Sequence, residues 1–201
     1  RRGVGYHEKV PLEGDVELQL LEAGHILGSA MAQFERAGKT IVFTGDLGGG
    51  NSPLLRPTEE VSPDYLVMES TYGDRTRPDD EQRLEHLENT IEEAMTRGGT
   101  LLIPAFSTER TQDLLFDIRR LYLEHRVPEV PVYLDSPLAE TITHAYLAHP
   151  EYFADDIRER IEGGEAIFSY PQLHFVEQAD DSRTLGDDPP AKIILAGSGM
   201  S

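Results

Sequence analysis

His25, Asp46 and Glu69 are the residues of this chain whose types and settings could do chemistry. His25 lies in the run Glu22-Ala-Gly-His-Ile-Leu-Gly-Ser-Ala30, Asp46 closes Thr44-Gly-Asp46, and Glu69 ends an apolar run at 65–68 before Ser70, Thr71 and a Tyr-Gly turn. Glycines around a histidine let the backbone turn sharply and approach another group closely. An imidazole and a carboxylate at the ends of strands are metal-ligand types. The chain has no cysteine, so any metal falls to His, Asp or Glu, which favours a hydrolytic over a structural zinc. Two donors are too few, because a hydrolytic metal takes three protein ligands and keeps one position open for water. The chain contains neither HxHxDH nor HExxH. On residue chemistry alone the site is incomplete, and a Gly-flanked His is more often an ordinary turn residue.

A second set of groups stands where strands are expected to end: Glu69-Ser70-Thr71, Ser107-Thr108, Asp135-Ser136 and Gly197-Ser198-Gly199. Small hydroxyl residues beside helix starts and glycine turns suit a phosphate. Helix capping is the more ordinary explanation of any one of them taken singly. Four together point to a ligand groove, since open parallel sheets bind ligands beyond the carboxyl ends of their strands.

The elements that must position these groups fall into two halves. Residues 16–21 alternate as a half-covered strand, 31–36 and 40–43 form a hairpin around a tight turn at 37–39, and a proline-containing connector over 51–64 leads to a buried strand at 65–68. Beyond it strands and helices alternate. A helix carrying Leu84, Leu87, Ile91, Ala94 and Met95 ends at Gly98-Gly99, and a strand follows at 100–106. Ser107 or Thr108 caps a second helix with Leu114, Leu115, Ile118, Leu121 and Tyr122 on one face. A strand at 130–134 leads into a helix opened by Asp135-Ser136-Pro137 that carries Leu138, Ile142 and Tyr146. A helical segment at 152–161, a short strand at 174–177, an acidic loop at 179–190 and a strand at 192–196 complete the order. The fold class is therefore α/β: a parallel doubly wound sheet preceded by antiparallel or mixed strands.

Composition bounds the partners. The 201 residues suit one domain or one and a fraction, and 38% hydrophobic with 27% charged residues is the range of folded soluble proteins. No apolar run approaches the length of a membrane span and no signal pattern opens the chain, so a cytoplasmic protein without a membrane partner is expected. The formal charge of −19 argues against polyanion binding by the surface at large, and the acidic surface of a high-salt or high-GC source explains it equally. A local basic groove stays open, because 15 of the 18 cations are arginine, the better phosphate fork. His7, His86, His125, His144, His149 and His174 read as structural or solvated. The chain opens without Met and stops just after an apolar strand and a Gly-Ser-Gly turn, and an excised segment is expected.

As a set, Ala23-Gly-His-Ile-Leu-Gly-Ser-Ala30, Thr44-Gly-Asp46, Glu69-Ser-Thr-Tyr-Gly73, Pro104-Ala-Phe-Ser-Thr-Glu-Arg-Thr-Gln112, Asp135-Ser-Pro-Leu-Ala139 and Ala196-Gly-Ser-Gly-Met200 resemble the metallo-β-lactamase-fold nucleases of the β-CASP family. That group includes the cleavage and polyadenylation endonuclease and bacterial RNA-processing exonucleases. The resemblance implies a partial metallo-β-lactamase segment over 1–68 and a β-CASP domain over 69–201. It implies that His25 is a ligand of one zinc, that Asp46 bridges two, and that Glu69 is a catalytic carboxylate that orients a later histidine rather than a ligand. Ser70, Arg110, Ser136, Ser198 and Gly199 would face the substrate, with phosphate contact as the assigned role. The intact enzyme would hydrolyse single-stranded RNA with two zinc ions. The HxHxDH motif and two later histidine motifs would lie outside this sequence, so the segment alone is expected to bind zinc weakly or not at all and to be inactive. Exposed strand edges would allow pairing with a second copy. Two other readings stay open: a catalytically silent scaffold of an RNA-processing complex, and a flavodoxin-like phosphate- or nucleotide-binding module.

Overall fold

The computed structural model describes residues 3–50, 52–75, 80–176, 178–186 and 191–198. The chain divides into two compact units, Arg1–Arg77 with Tyr152–Ala154, and Pro78–Glu151 with Asp155–Ser201.

In the first unit, β1 (Val10–Pro11), β2 (Glu17–Glu22), β3 (Ala30–Arg36), β4 (Lys39–Phe43) and β5 (Tyr65–Val67) form one sheet in that order. All neighbours are antiparallel except β4 and β5. Period-two alternation sends Leu21, Met31 and Val42 to one face, where with Ala23 they form a buried cluster packed by Leu47 and Val61. Ala37 and Gly38, with φ of 50° and 73°, make the two-residue turn between β3 and β4 that positive φ at both positions favours. Asp64 ties β5 to that hairpin by accepting from Lys39 Nζ at 2.5 Å and from Thr40 N at 2.9 Å.

Residues 65–68 are not the buried strand expected. Tyr65 is 63% and Met68 60% exposed, and β5 is an edge strand with a neighbour on one side only. Residues 152–154 also belong here rather than to the helix that follows at 155: Phe153 is fully buried, bridges Leu55, and is followed by Ala154 N donating to Leu54 O at 2.8 Å.

The second unit holds a wholly parallel sheet in the order β6-β9-β7-β8, with β6 at Thr100–Phe106, β7 at Val132–Asp135, β8 at Leu173–Phe175 and β9 at Lys192–Ser198. The last strand outruns its predicted end because it pairs with β6 as far as Phe106↔Ser198. Helix α1 (Asp80–Thr96) stops at Gly98, φ 65°, whose N–H donates to Met95 O while Gly99 N donates to Ala94 O. Helix α2 (Arg110–Leu123) is buried almost all round rather than on one face: Leu115, Ile118 and Leu121 are joined inside by Thr111, Gln112, Asp113, Asp117 and Arg119. Two of its buried charges are paired, Asp117 with Arg83 of α1 and Arg119 with Glu165.

Helix α3 (Pro137–Leu147) turns Ala139, Thr143 and Tyr146 inward and leaves Leu138 55% exposed, a different face from the Leu138–Ile142 one expected. The Ser136 cap and Pro137 set that phase. A 3-10 turn (Pro150–Tyr152) and α4 (Asp155–Glu162) follow. The acidic stretch after 178 is not all loop, since α5 (Ala179–Thr184) forms in it with Asp180 and Asp181 in its first turn, where the helix dipole favours them. Glu177 and residues 187–190 lie outside the described residues. Among the described residues no helix is long and apolar enough to cross a membrane.

Candidate functional site

The His25 loop is built by one hydroxyl. Ser29 Oγ accepts from His25 N at 3.0 Å and from Ile26 N at 3.2 Å, and Ser29 N returns to Ile26 O at 2.9 Å. Glu22, buried at the end of β2, accepts from Gly24 N at 2.9 Å, and Tyr6 Oη donates to Ser29 O at 2.7 Å. Burial raises the Glu22 carboxyl above the usual carboxylate range, against the Gly24 bond that lowers it. Burial first, then the neighbouring Glu22 charge, raises the Tyr6 phenol. Gly24 is required: at φ 60°, a Cβ there would lie 2.7 Å from Thr58 N and 2.8 Å from Arg56 O.

Asp46 sits on the turn after β4, 79% exposed, and its Oδ2 is 3.9 Å from His25 Nε2. Glu69 holds that turn. Its Oε1 accepts from Leu47 N at 2.7 Å, its Oε2 from Thr71 N at 3.1 Å, and its own N–H donates to Thr44 Oγ1 at 3.2 Å. The Leu47 bond, then the Thr71 side chain, and lastly the nearby His25 hold its carboxyl below the usual range. Glu69 is therefore an ionised clamp between the turns after β4 and β5, which brings His25, Asp46 and Glu69 into one cluster of loops. Ser70 is exposed beside it, and its carbonyl accepts from Gly73 N at 3.0 Å.

The donor set falls short of a metal centre. His25 and Asp46 supply two donors, and no third His, Asp or Glu joins a group that could hold a metal among the described residues. Zinc therefore does not fit these residues as a complete site.

The second unit gathers its strand-end residues differently from a phosphate groove. Glu69-Ser70-Thr71 follows β5, which belongs to the other sheet. Ser107 and Ser136 follow β6 and β7, the two strands that flank β9, and their Oγ atoms meet at 3.3 Å, both residues 6% exposed. They meet across Gly197 of β9, where an added Cβ would lie 2.2 Å from Ser136 Oγ and 3.0 Å from Ser107 Oγ. Ser136 caps α3 by accepting from Ala139 N at 3.2 Å. Ser107 does not cap α2, and Thr108 does not either, since the N-cap position is Glu109, whose side chain makes no capping hydrogen bond. Gln112 completes the clasp: its Nε2 donates to Ser107 O at 3.1 Å and Thr143 Oγ1 at 3.0 Å, and Thr143 passes a bond to Ala139 O at 2.8 Å. Asp135 accepts from Ser182 Oγ of α5 at 2.7 Å. Ser198 ends β9, and Gly199 lies outside the described residues.

Arg110 is exposed at the first residue of α2. The other eight arginines of the second unit each face a carboxylate within 4.0 Å, whereas Arg110 has no ion pair among the described residues. It stands at the carboxyl end of the parallel sheet, where such sheets bind ligands.

Residues 111–201, which hold all of this clasp except Ser107, match the Beta-Casp domain. The chain belongs to the β-CASP family. It is 37% identical over 191 residues to a ribonuclease of Thermus thermophilus, covering 93% of this chain and 43% of that protein. It is 36% identical to the transcription termination factor FttA of Methanothermobacter thermautotrophicus (97% and 31% covered) and 28% identical to an endoribonuclease of Saccharomyces cerevisiae (98% and 26%). This β-CASP chain spans less than half the length of the curated relatives it matches.

Sequence reasoning passed over Ser29, Thr44, Gln112 and Thr143, the side chains that hold the loops in place. Ser29 and Gln112 lie inside the two motifs that drew attention to His25 and Arg110. Their hydrogen-bonding types were the available signal, and their partners, mostly backbone groups, carry none.

Proposed function

We propose that this chain is part of a cytoplasmic, metal-dependent nuclease that hydrolyses phosphodiester bonds of single-stranded RNA. The observation that carries the reading is the approach of His25 Nε2 to Asp46 Oδ2, 3.9 Å apart on loops clamped by Glu69. In this reading the pair supplies part of the ligand set of a zinc centre, two ions when complete, and the other donors come from sequence outside these residues. Two donors hold zinc weakly or not at all, so the chain by itself is inactive. The relatives named ribonuclease and endoribonuclease support RNA as substrate. Arg110, which has no ion pair among the described residues in a unit whose other arginines are neutralised internally, takes a phosphate contact in the second unit, and exposed Ser70 takes one in the first unit. Ser136, buried and spent on its cap, is assigned to the wall of the site.

Zinc titration of the full-length protein tests this reading. His25→Ala and Asp46→Ala each weaken binding about tenfold or more if they are ligands. Unchanged affinity in both overturns it. A silent scaffold is the second reading, favoured by the absence of a third donor among the described residues; it predicts no zinc and no cleavage.

A further inference from the structure

We propose that Glu109 is a positioning residue for Arg110, through the backbone turn centred on it rather than through its carboxylate. The proposal rests on the reading of Arg110 as a phosphate contact. Glu109 has φ 64° and ψ −66°, and Arg110 N donates to Thr108 O at 2.8 Å, two residues back. Those angles and that bond define the γ-turn with positive φ, a rare and strained conformation for a residue with a Cβ.

The turn is pinned on both sides. Thr111 Oγ1 donates to Phe106 O at 2.8 Å, Gln112 Nε2 to Ser107 O at 3.1 Å, and Asp113 N to Glu109 O at 2.9 Å. The last two carbonyls of the strand exit and the first turn of α2 are thus locked to each other, and the γ-turn is the conformation that joins them. It reverses the chain within three residues and sets Arg110 at the first helical position. A helix entered by an ordinary extended cap would start at a different phase and carry Arg110 elsewhere. The strain is tolerated because the surrounding bonds over-determine the turn, the circumstance in which strained residues persist at functional positions.

Three substitutions separate conformation from charge. Glu109→Gln removes the charge and keeps the strain. Glu109→Gly removes both and adopts the turn freely. Glu109→Val removes the charge and, being β-branched, resists positive φ. The full-length protein is titrated with a fluorescein-labelled single-stranded oligoribonucleotide at several salt concentrations, beside Arg110→Ala. Arg110→Ala is expected to weaken binding about tenfold and to flatten the dependence of log K on log salt by about 0.7, the value for one lost phosphate contact on a single strand.

Glu109→Val should reproduce both changes. Glu109→Gln and Glu109→Gly should bind at least as tightly as the native protein with its salt slope, and Glu109→Gly should also unfold at higher denaturant. A purely structural role for the turn would lower stability in Glu109→Val without moving the slope. Should Glu109→Val fail to fold, Thr111→Val, which removes the tie to Phe106 O, carries the test with the same expected loss of slope. If Arg110→Ala changes nothing, the phosphate reading itself fails. If Arg110→Ala weakens binding and Glu109→Val matches Glu109→Gln, or Glu109→Gln falls as far as Glu109→Val, the positioning role is overturned while the phosphate reading stands.

Discussion

Replacing Gly197 by alanine tests how the carboxyl end of the parallel sheet is assembled. Elsewhere in a strand, Gly→Ala is expected to stabilise by roughly 0.5–1 kcal/mol, because glycine loses more freedom on folding. Here the sign reverses. The new Cβ would sit 2.2 Å from Ser136 Oγ and 2.4 Å from Ser136 Cβ, far inside van der Waals contact, and neither atom can retreat while Ser136 caps α3. Overpacking of this kind costs about 3 kcal/mol, the upper end of the usual range. Ser136→Gly removes both offending atoms. On its own it loses a few tenths of a kcal/mol at the cap and about 1 kcal/mol with the Ser107 bond. In the double variant the clash with Ser136 is gone, so its total loss should be about 1–2 kcal/mol rather than the sum of about 4, leaving a coupling of about 2–3 kcal/mol. Denaturant unfolding of the four proteins, followed by far-UV circular dichroism, measures it. A neutral or stabilising Gly197→Ala, or strictly additive losses, would refute the clasp.

Glu165 predicts a pH dependence of stability. Arg160, with Arg119 assisting against partial burial, lowers its carboxyl from 4.5 to about 2. A depressed folded-state value means the contribution is complete above the unfolded value near 4.5 and is lost as pH falls toward 2. Discounted for an exposure of 33%, it amounts to about 1–2 kcal/mol. Unfolding at pH 7 should thus separate the native protein from Glu165→Gln by that amount, and the gap should close near pH 2. A constant gap would count against the pairing. In the first unit, Gly48→Ala places a Cβ 1.7 Å from Gly24 O, so it should cost about 3 kcal/mol or more and disorder the His25 loop, seen as loss of the His25 ring resonance position in NMR spectra.

How much of this was legible in the sequence depends on whether a feature is local. The β6 strand and the crossovers after it follow from periodicity and glycine stops, and Thr100–Phe106 falls where the apolar run places it. The Ser136-Pro137 cap was equally plain, since proline at the first helical position marks it. Ser107 looked like the same signal without the proline, and it proved to be a buried partner of Ser136, because α2 enters through the Glu109 turn instead. Nothing in a run such as Tyr65-Leu-Val-Met68 says whether another layer covers it, and in this structure β5 is an exposed edge. The six-residue α5 lay hidden in acidic sequence too short for a helical period to show. His25, Asp46 and Glu69 could be picked out by type and turn context. The Glu69 clamp could not, because its donors are the backbone N–H groups of Leu47 and Thr71, which leave no mark in side-chain sequence.

The most direct test of the proposed nuclease is cleavage of a labelled single-stranded RNA by the full-length protein in the presence of zinc, with Asp46→Ala as the control. Cleavage by the native protein that falls by about a thousandfold or more in Asp46→Ala is the predicted result, since a lost metal ligand removes several kcal/mol of transition-state stabilisation. Equal cleavage by both proteins, or no cleavage by a native protein that has bound zinc, would contradict it.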